Sequence, residues 1–235
     1  MYMRKGETHT APLTGLKASD IAVGSTVYLM ENGTPAEYLV VNQGIPSDSN
    51  LYDSSCDGMW LLRKYVYGSV TLSGASSRKY SESEHHTYLN GTFFNLFDSK
   101  TQSAIKQVKI PYWSGSGGSS SVYSGSSGLS TKVFSLGGYE VGWTTSTSSA
   151  FPIDGACLSY FKGANNSTRV AYYGGYATGW WTRSPYAAGS YNYYWCVEYT
   201  GASNYTTNSY SIRPALILPS TALFDEATLV FKGVK

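Results

Sequence analysis

The residues best suited to chemistry or recognition lie in one segment of the sequence, residues 186–211. Tyr, Asn and Ser fill 14 of its 26 positions. Antibody combining sites have a similar mixture, in which rigid aromatic rings supply contact area and small polar side chains supply hydrogen bonds. The composition therefore favours binding over catalysis, and we expect the side chains to form one contiguous exposed surface. The predicted ligand contacts are Tyr186, Ser190, Tyr191, Asn192, Tyr193, Tyr194, Asn204, Tyr205, Asn208 and Tyr210.

The cysteines give little support for catalysis. Cys56, Cys157 and Cys196 are widely spaced, and they fit neither a C-x-x-C metal pair nor a disulfide framework. Buried free thiols are the favoured interpretation, since unpaired cysteine behaves as a small apolar side chain. The sequence also lacks the pattern of a phosphate-binding loop, and its histidines are poorly placed for a Ser-His-Asp triad. It therefore predicts a protein that is not an enzyme.

Metal ligands and cofactor motifs are equally sparse. The neighbouring histidines His85 and His86 do not belong to an H-E-x-x-H pattern, and we expect both of them at the surface. The aspartates that could offer oxygen ligands to calcium lie outside any D-x-D-x-D-G loop. They are Asp48, Asp53, Asp57 and Asp154. The sequence therefore predicts no metal site and no cofactor.

The charge and hydropathy patterns exclude two classes of partner. The formal net charge is +2, charged residues make up 14% of the chain, and Lys and Arg are scattered. Nucleic-acid binding needs a basic patch or stripe, so we expect no nucleic-acid partner. No apolar run reaches the length of a membrane span, and residues 1–16 lack the apolar core of a signal peptide. We therefore expect neither membrane insertion nor a signal peptide.

Local patterns predict the strands that position the binding segment. Asn32-Gly33 between two apolar runs is a strong signal for a β-hairpin over residues 26–41. Arg183 and Arg213 flank the binding segment, and we expect them to pair with carboxylates or carbonyls inside the fold. Other strands are expected over residues 58–64, 108–110, 132–136, 179–183, 192–199 and 210–218.

Helices should be few and short. Ser81 and Glu84 fit a capping box, in which Ser81 is the N-cap residue and Glu84 reaches back to it. Asp98 or Ser99 should cap a second helix over residues 100–107. Together with the strands, these helices predict an α+β fold.

The chain is long enough for one large domain or two small ones. Residues 113–131 are rich in Gly and Ser, a composition typical of a linker or of a long surface loop. The loop is favoured, because the front half of the chain has few strands with which to close a core of its own. We therefore expect a tail over residues 1–15 and a single domain over residues 16–235, with the variable binding region at about 186–211.

Two runs of residues carry a family resemblance. They are Gly179-Trp180-Trp181-x-Arg183-Ser184-Pro185 and Ile212-Arg213-Pro214-Ala215-Leu216. They resemble the closing signature of C-type-lectin-fold domains. The likeness is greatest to a family from gut bacteria and their prophages that is distantly similar to formylglycine-generating-enzyme-type domains. It covers most of the chain and implies a C-type-lectin fold with short helices, small antiparallel sheets and long loops.

Several members of that fold are variable proteins of diversity-generating retroelements, in which template adenines are randomised and AAC codons become other codons ending in C. Such codons encode none of Lys, Gln, Met, Glu and Trp. Residues 186–211 contain no Lys, Gln or Met, and the resemblance implies that Trp195 and Glu198 are framework positions that do not vary. The resemblance implies a display protein with a hypervariable surface that binds a protein or glycan on a bacterial or phage surface. It places the protein in a phage particle, as a prophage tail receptor-binding protein, or on a bacterial cell surface, and is compatible with a trimer.

Two other functions stay open at the level of the sequence. A formylglycine-generating-type enzyme on the same fold would use a pair of reactive cysteines, for which Cys157 and Cys196 are the candidates in the back half of the chain. A structural protein of a phage particle would instead pack its tyrosines against a neighbouring subunit.

Overall fold

The computed structural model describes residues 13–47, 49–68, 79–113, 122–144, 152–186, 193–206 and 210–235. In chain order, the strands of this part are β1 (Leu16–Lys17), β2 (Thr26–Glu31), β3 (Thr34–Gln43), β4 (Met59–Arg63), β5 (Val108–Ile110), β6 (Tyr112–Trp113), β7 (Val122–Tyr123), β8 (Leu129–Thr131), β9 (Val133–Phe134), β10 (Ala171–Tyr173), β11 (Tyr176–Thr178), β12 (Trp180–Pro185), β13 (Tyr194–Val197), β14 (Ser203–Thr206), β15 (Ala215–Leu218), β16 (Ala222–Phe224) and β17 (Phe231–Val234). The α-helices are α1 (Glu84–Tyr88), α2 (Ser99–Ala104) and α3 (Asn166–Arg169).

Short helices and several small antiparallel sheets make this an α+β fold, which confirms the fold class predicted from the sequence. The sheets have the strand orders β2-β3-β4-β15-β9, β1-β16-β17, β12-β13-β14, β10-β11, β5-β8 and β6-β7. None of the helices in the described ranges is long and apolar enough to cross a membrane.

The five-stranded sheet is the centre of the molecule, and both of its faces are buried. Successive residues of β4 and β15 point to opposite faces, as the pleat of a strand requires. Trp60 and Ile217 belong to one apolar cluster, whereas Leu61 and Leu216 belong to a second cluster on the other side. This arrangement explains why both strands read as continuous apolar runs in the sequence.

The two apolar clusters are covered by different parts of the chain. The cluster that contains Leu61 is closed by residues from α1, α2, β16 and β17, among them Phe224 and Phe231. The cluster that contains Trp60 is closed by long loops and by the sheet β12-β13-β14, through Trp180 and Trp195. The sheet β12-β13-β14 is therefore attached to the body of the fold through the face that carries Trp180 and Trp195.

Most local predictions are confirmed. β2 and β3 form the predicted hairpin, and Asn32 and Gly33 have φ angles of 49° and 77°, as a type I′ turn requires. Asp98 caps α2, because its carboxylate accepts a hydrogen bond from the Thr101 backbone N–H at 2.8 Å.

The predicted capping box at the start of α1 is wrong. The cap residue is Ser83, whose hydroxyl accepts a hydrogen bond from the His86 backbone N–H at 3.0 Å. The residues before it, Tyr80–Glu82, form a separate 3-10 turn. Ser81 is held in that turn, so it cannot serve as the residue at which the helix begins.

The two histidines of α1 do not form the predicted surface pair. His85 is 6% exposed, and its Nε2 lies 2.8 Å from the Ser135 hydroxyl. His86 is half-buried, and its Nε2 lies 3.2 Å from the Thr131 hydroxyl. The short helix packs onto the chain around β9, and the ring of Tyr80 contacts both imidazoles. Burial lowers the pKa of His85 to about 3.

We expect acid to destabilise the protein through His85. Its ordinary pKa is 6.5 and its pKa in the fold is about 3, so between these values the unfolded chain binds a proton that the folded protein does not. The contribution of neutral His85 is fully present above its ordinary pKa and is lost as the pH falls toward the lower value. The loss should reach about 3 kcal/mol near pH 4.

Urea unfolding of the wild type and of His85→Gln across this pH range measures the effect as the difference between two profiles. The difference is needed because buried Asp154 has a pKa raised to about 6, which makes stability rise as the pH falls below that value. Parallel profiles for the two proteins would show that His85 does not control the acid response.

Candidate ligand-binding site

The predicted binding residues that the structure describes lie on or beside the sheet β12-β13-β14. In the register of β13 and β14, Trp195 lies opposite Tyr205, and Cys196 lies opposite Asn204. Because side chains alternate along a strand, these two pairs point to opposite faces of the sheet. The binding segment therefore presents two surfaces rather than the single contiguous surface expected from the sequence.

One surface is an aromatic face formed by Tyr186, Tyr193, Trp195 and Tyr205. Tyr205 is at its centre: its ring stacks on Tyr186 with centroids 4.3 Å apart and an interplanar angle of 28°. The rings of Trp195 and Tyr193 lie 5.2 Å and 5.8 Å from the same ring. Tyr205 is 42% exposed, so the cluster combines mutual packing with an accessible surface. Such contacts fix ring orientations before a ligand arrives.

A pocket of about 350 Å³ lies beside the aromatic face and is partly formed by Trp195. Trp143 forms a second wall, with its ring centroid 6.4 Å from that of Trp195. Asn165, Asn166 and Ser203 add polar groups to the lining. A pocket of this size that combines aromatic walls with a few polar groups suits a small ring or a side chain of a larger ligand.

The other surface of the sheet is a small buried cluster of Trp181, Tyr194 and Cys196, against which Tyr210 packs. Tyr194 is 6% exposed, so it offers almost no surface to a ligand. The Tyr210 ring lies 5.3 Å from that of Trp181. Both tyrosines thus stabilise the back of the sheet.

Asn204 is also on the side away from Tyr205, and its amide donates a hydrogen bond to a carboxylate oxygen of Glu198 at 2.6 Å. The remaining predicted contacts, Ser190, Tyr191, Asn192 and Asn208, lie outside the residues that the structure describes.

A buried ion pair holds β12 in place beneath the site. The side chains of Arg183 and Glu140 are both 0% exposed. The Arg183 guanidinium donates hydrogen bonds to the two carboxylate oxygens of Glu140, at 2.5 Å and 2.7 Å. The Tyr52 hydroxyl donates to the same carboxylate at 2.8 Å. The guanidinium also donates to the carbonyl oxygens of Pro111, Ser135 and Asp154. This network joins loops from distant parts of the chain to β12, the first strand of the sheet β12-β13-β14.

Arg213 is a second buried cation with a structural role. Its Nε and Nη2 donate to the carbonyl oxygens of Arg63 and Lys64, and its guanidinium lies 5.0 Å from the centre of the Trp180 ring. Burial lowers its pKa to about 10. The prediction that Arg183 and Arg213 pair with carboxylates or carbonyls inside the fold is confirmed.

A protein-family model described as "Domain of unknown function (DUF6273)" matches residues 57–220, well over half of the chain. The chain belongs to the DUF6273 family. The matched region of this DUF6273 protein includes β4 and the whole sheet β12-β13-β14, so it contains both the aromatic face and the buried ion pair. The chain matched no curated protein and no solved structure.

The thiols of the DUF6273 protein are poorly suited to nucleophilic chemistry. Burial raises the pKa of Cys56 and of Cys196 to about 12, and it also raises the pKa of Cys157. A thiol reacts as its thiolate, which these shifts disfavour. Cys157 packs against the apolar cluster that contains Trp60. Cys196 lies in the separate cluster with Trp181 and Tyr194, so the two cysteines do not form a pair.

Within the described ranges, no group of three or more His, Cys, Asp and Glu side chains is arranged to hold a metal ion. The described side chains at the site offer aromatic rings, hydroxyls and amides, and Arg169 also lines the pocket. These groups bind by stacking and hydrogen bonding.

Trp143, Asn165 and Asn166 line the pocket, but sequence reasoning did not assign them to the site. Asn165 and Asn166 precede the segment 186–211 by about 20 residues and Trp143 precedes it by 43, and none of the three carries a local pattern that marks a ligand contact. Asn165 and Asn166 reach the pocket because the start of α3 lies against Gly201 in the β13–β14 turn, whereas Trp143 reaches it by packing beside Trp195.

Proposed function

We propose that this DUF6273 protein is a recognition protein that binds a macromolecular ligand through the aromatic face. The observation that carries the proposal is the packing of Tyr186, Tyr193 and Trp195 around the partly exposed ring of Tyr205. Large aromatic side chains order few torsions on binding, and a few central ones dominate the energy of a typical interface. The pocket beside the face offers a place for a protruding group of the same ligand.

We further propose that the protein has a C-type-lectin fold and acts at a phage or bacterial surface. The two runs that resemble the C-type-lectin closing signature correspond to β12 and to residues 212–216, which include the start of β15. We propose that they frame a diversified segment, as in variable proteins of diversity-generating retroelements. The ligand would then be a protein or glycan on a bacterial or phage surface, and the protein would act from a phage tail or a bacterial surface, as a monomer or as a trimer.

Binding to an immobilised panel of bacterial envelope preparations and purified surface glycans tests the proposal. The wild type should bind at least one member, and Tyr205→Ala should weaken that binding by about 30-fold, the effect of losing about 2 kcal/mol from a central aromatic contact. Tyr123→Ala is the matched control, since Tyr123 is 46% exposed but lies on β7.

An unchanged affinity in Tyr205→Ala would remove the aromatic face as the binding surface. Sequencing the gene and its neighbours gives an independent test of diversification. Codons ending in C across the segment, a template copy and a reverse transcriptase are expected, and their absence would contradict this part of the proposal.

A further inference from the structure

A second group of exposed tyrosines lies outside the binding segment, on the hairpin formed by β10 and β11. Tyr172, Tyr173 and Tyr176 are 45%, 51% and 80% exposed. Gly174 and Gly175 connect the strands with φ angles of 55° and 88°, which suits a type I′ turn. Tyr173 and Tyr176 are paired directly across the hairpin. Three large aromatic side chains that are exposed to solvent on a tight hairpin indicate an interaction site, because the fold does not use these rings for its own packing.

A cleft of about 870 Å³ runs between this hairpin and the chain that follows β4. The hairpin is joined to that chain by a hydrogen bond from the Val66 backbone N–H to the Tyr172 carbonyl, at 3.2 Å. Among the nine lining residues that belong to the described ranges, four are tyrosines, namely Tyr65, Tyr67, Tyr88 and Tyr173. Val66 is the one aliphatic side chain of this described lining, and the others are Arg63 and glycines.

The cations at the cleft are neutralised within the protein. The Arg63 guanidinium donates to both carboxylate oxygens of Glu31 at 3.0–3.2 Å, and it also donates to the carbonyl oxygens of Tyr65 and Val66. The ammonium of the neighbouring Lys64 pairs with Glu37 at 2.5 Å. The cleft therefore presents rings and hydroxyls with little net charge, which disfavours an anionic ligand.

We propose that this cleft binds a neutral oligosaccharide. The C–H face of a pyranose ring is apolar and flat enough to lie on a tyrosine ring, while its hydroxyls need hydrogen-bond partners of the kind that tyrosine hydroxyls supply. The site is separate from the aromatic face, and the proposal does not depend on the function proposed there.

Isothermal titration calorimetry with a fixed panel of oligosaccharides at millimolar concentrations tests the proposal. The panel contains neutral hexasaccharides of glucose, mannose, galactose and N-acetylglucosamine, together with an oligogalacturonate as the anionic member. We expect binding to at least one neutral member, with an affinity that high salt and a chelator leave unchanged. Tyr173→Ala and Tyr65→Ala should each weaken it at least about tenfold, as expected for aromatic anchors of a binding site.

Both variants change exposed side chains, so they should unfold at the wild-type urea concentration. Tyr123→Ala and Tyr205→Ala should bind the same sugar as the wild type does. The proposal is overturned if no neutral member binds, if only the anionic member binds, or if Tyr205→Ala rather than Tyr173→Ala abolishes binding. It is equally overturned if the tyrosines of the hairpin prove to hold two copies of the chain together, seen as a dimer in sedimentation that Tyr173→Ala dissociates.

Discussion

Replacing Arg183 with Met is expected to lower the free energy of unfolding by about 3–5 kcal/mol, the largest effect of any substitution considered for this protein. The Glu140 carboxylate would keep its 0% exposure and lose its only ion-pair partner shown in the structure. Removing one member of a buried pair costs more than the pair itself contributes, because the remaining charge stays out of water. Urea unfolding followed by tryptophan fluorescence measures the loss.

Three further variants test whether the loss comes from the unpaired charge of Glu140. Lys79→Met breaks an exposed ion pair with Glu82 and should cost less than about 1 kcal/mol. Arg183→Lys should recover little stability, because an ammonium cannot reproduce the two-pronged contact with Glu140. The double variant Arg183→Met, Glu140→Met should be more stable than the sum of the two single losses predicts, since no unpaired charge is left. Additive losses would contradict the account.

Replacing Gly201 with Ala is the substitution with the second largest expected effect. Gly201 has a φ of 81°, and a Cβ added there would lie 1.8 Å from the carbonyl oxygen of Asn166. Both the backbone conformation and the close approach to α3 exclude a side chain. We expect a loss of about 2–4 kcal/mol, measured by urea unfolding.

Gly163→Ala is the matched control for Gly201→Ala. Gly163 has a similar φ of 71°, but nothing lies within 4 Å of its added Cβ, so only the backbone cost of about 1 kcal/mol should appear. The excess loss in Gly201→Ala reports the contact with Asn166. Because Asn166 and the adjoining residues Ala202 and Ser203 line the pocket, any ligand that enters it should also bind more weakly. Equal losses in the two variants would show that the close approach is unimportant.

Elements with a strong local signal were predictable from the sequence. The hairpin of β2 and β3 follows from Asn32-Gly33, and the start of α2 follows from Asp98, because each signal depends on backbone bonds between near neighbours. The strands around Trp60, Trp180 and Ile217 were also expected, although with different ends. The α+β class follows from these elements together.

Elements whose stability comes from distant contacts were missed or misjudged. The hairpin of β10 and β11 is two strands of three residues, too short to give a clear alternation of apolar and polar side chains. The burial of His85 depends on Ser135, fifty residues further along the chain, so α1 alone gives no sign of it. The aromatic residues of the candidate site were recognised by type, but Trp143 was not, because only packing brings it beside Trp195.

The sequence by itself determined the composition of the binding segment, the strands on either side of it and the scarcity of groups for catalysis. Tertiary structure decided which side chains share a surface. The pairing of β13 with β14 turns Tyr205 toward Trp195 and turns Asn204 and Tyr194 to the other side, because alternate residues of a strand face opposite ways. The partners that fix this sheet, such as Glu140 for Arg183, are remote in the chain and meet only when the core closes.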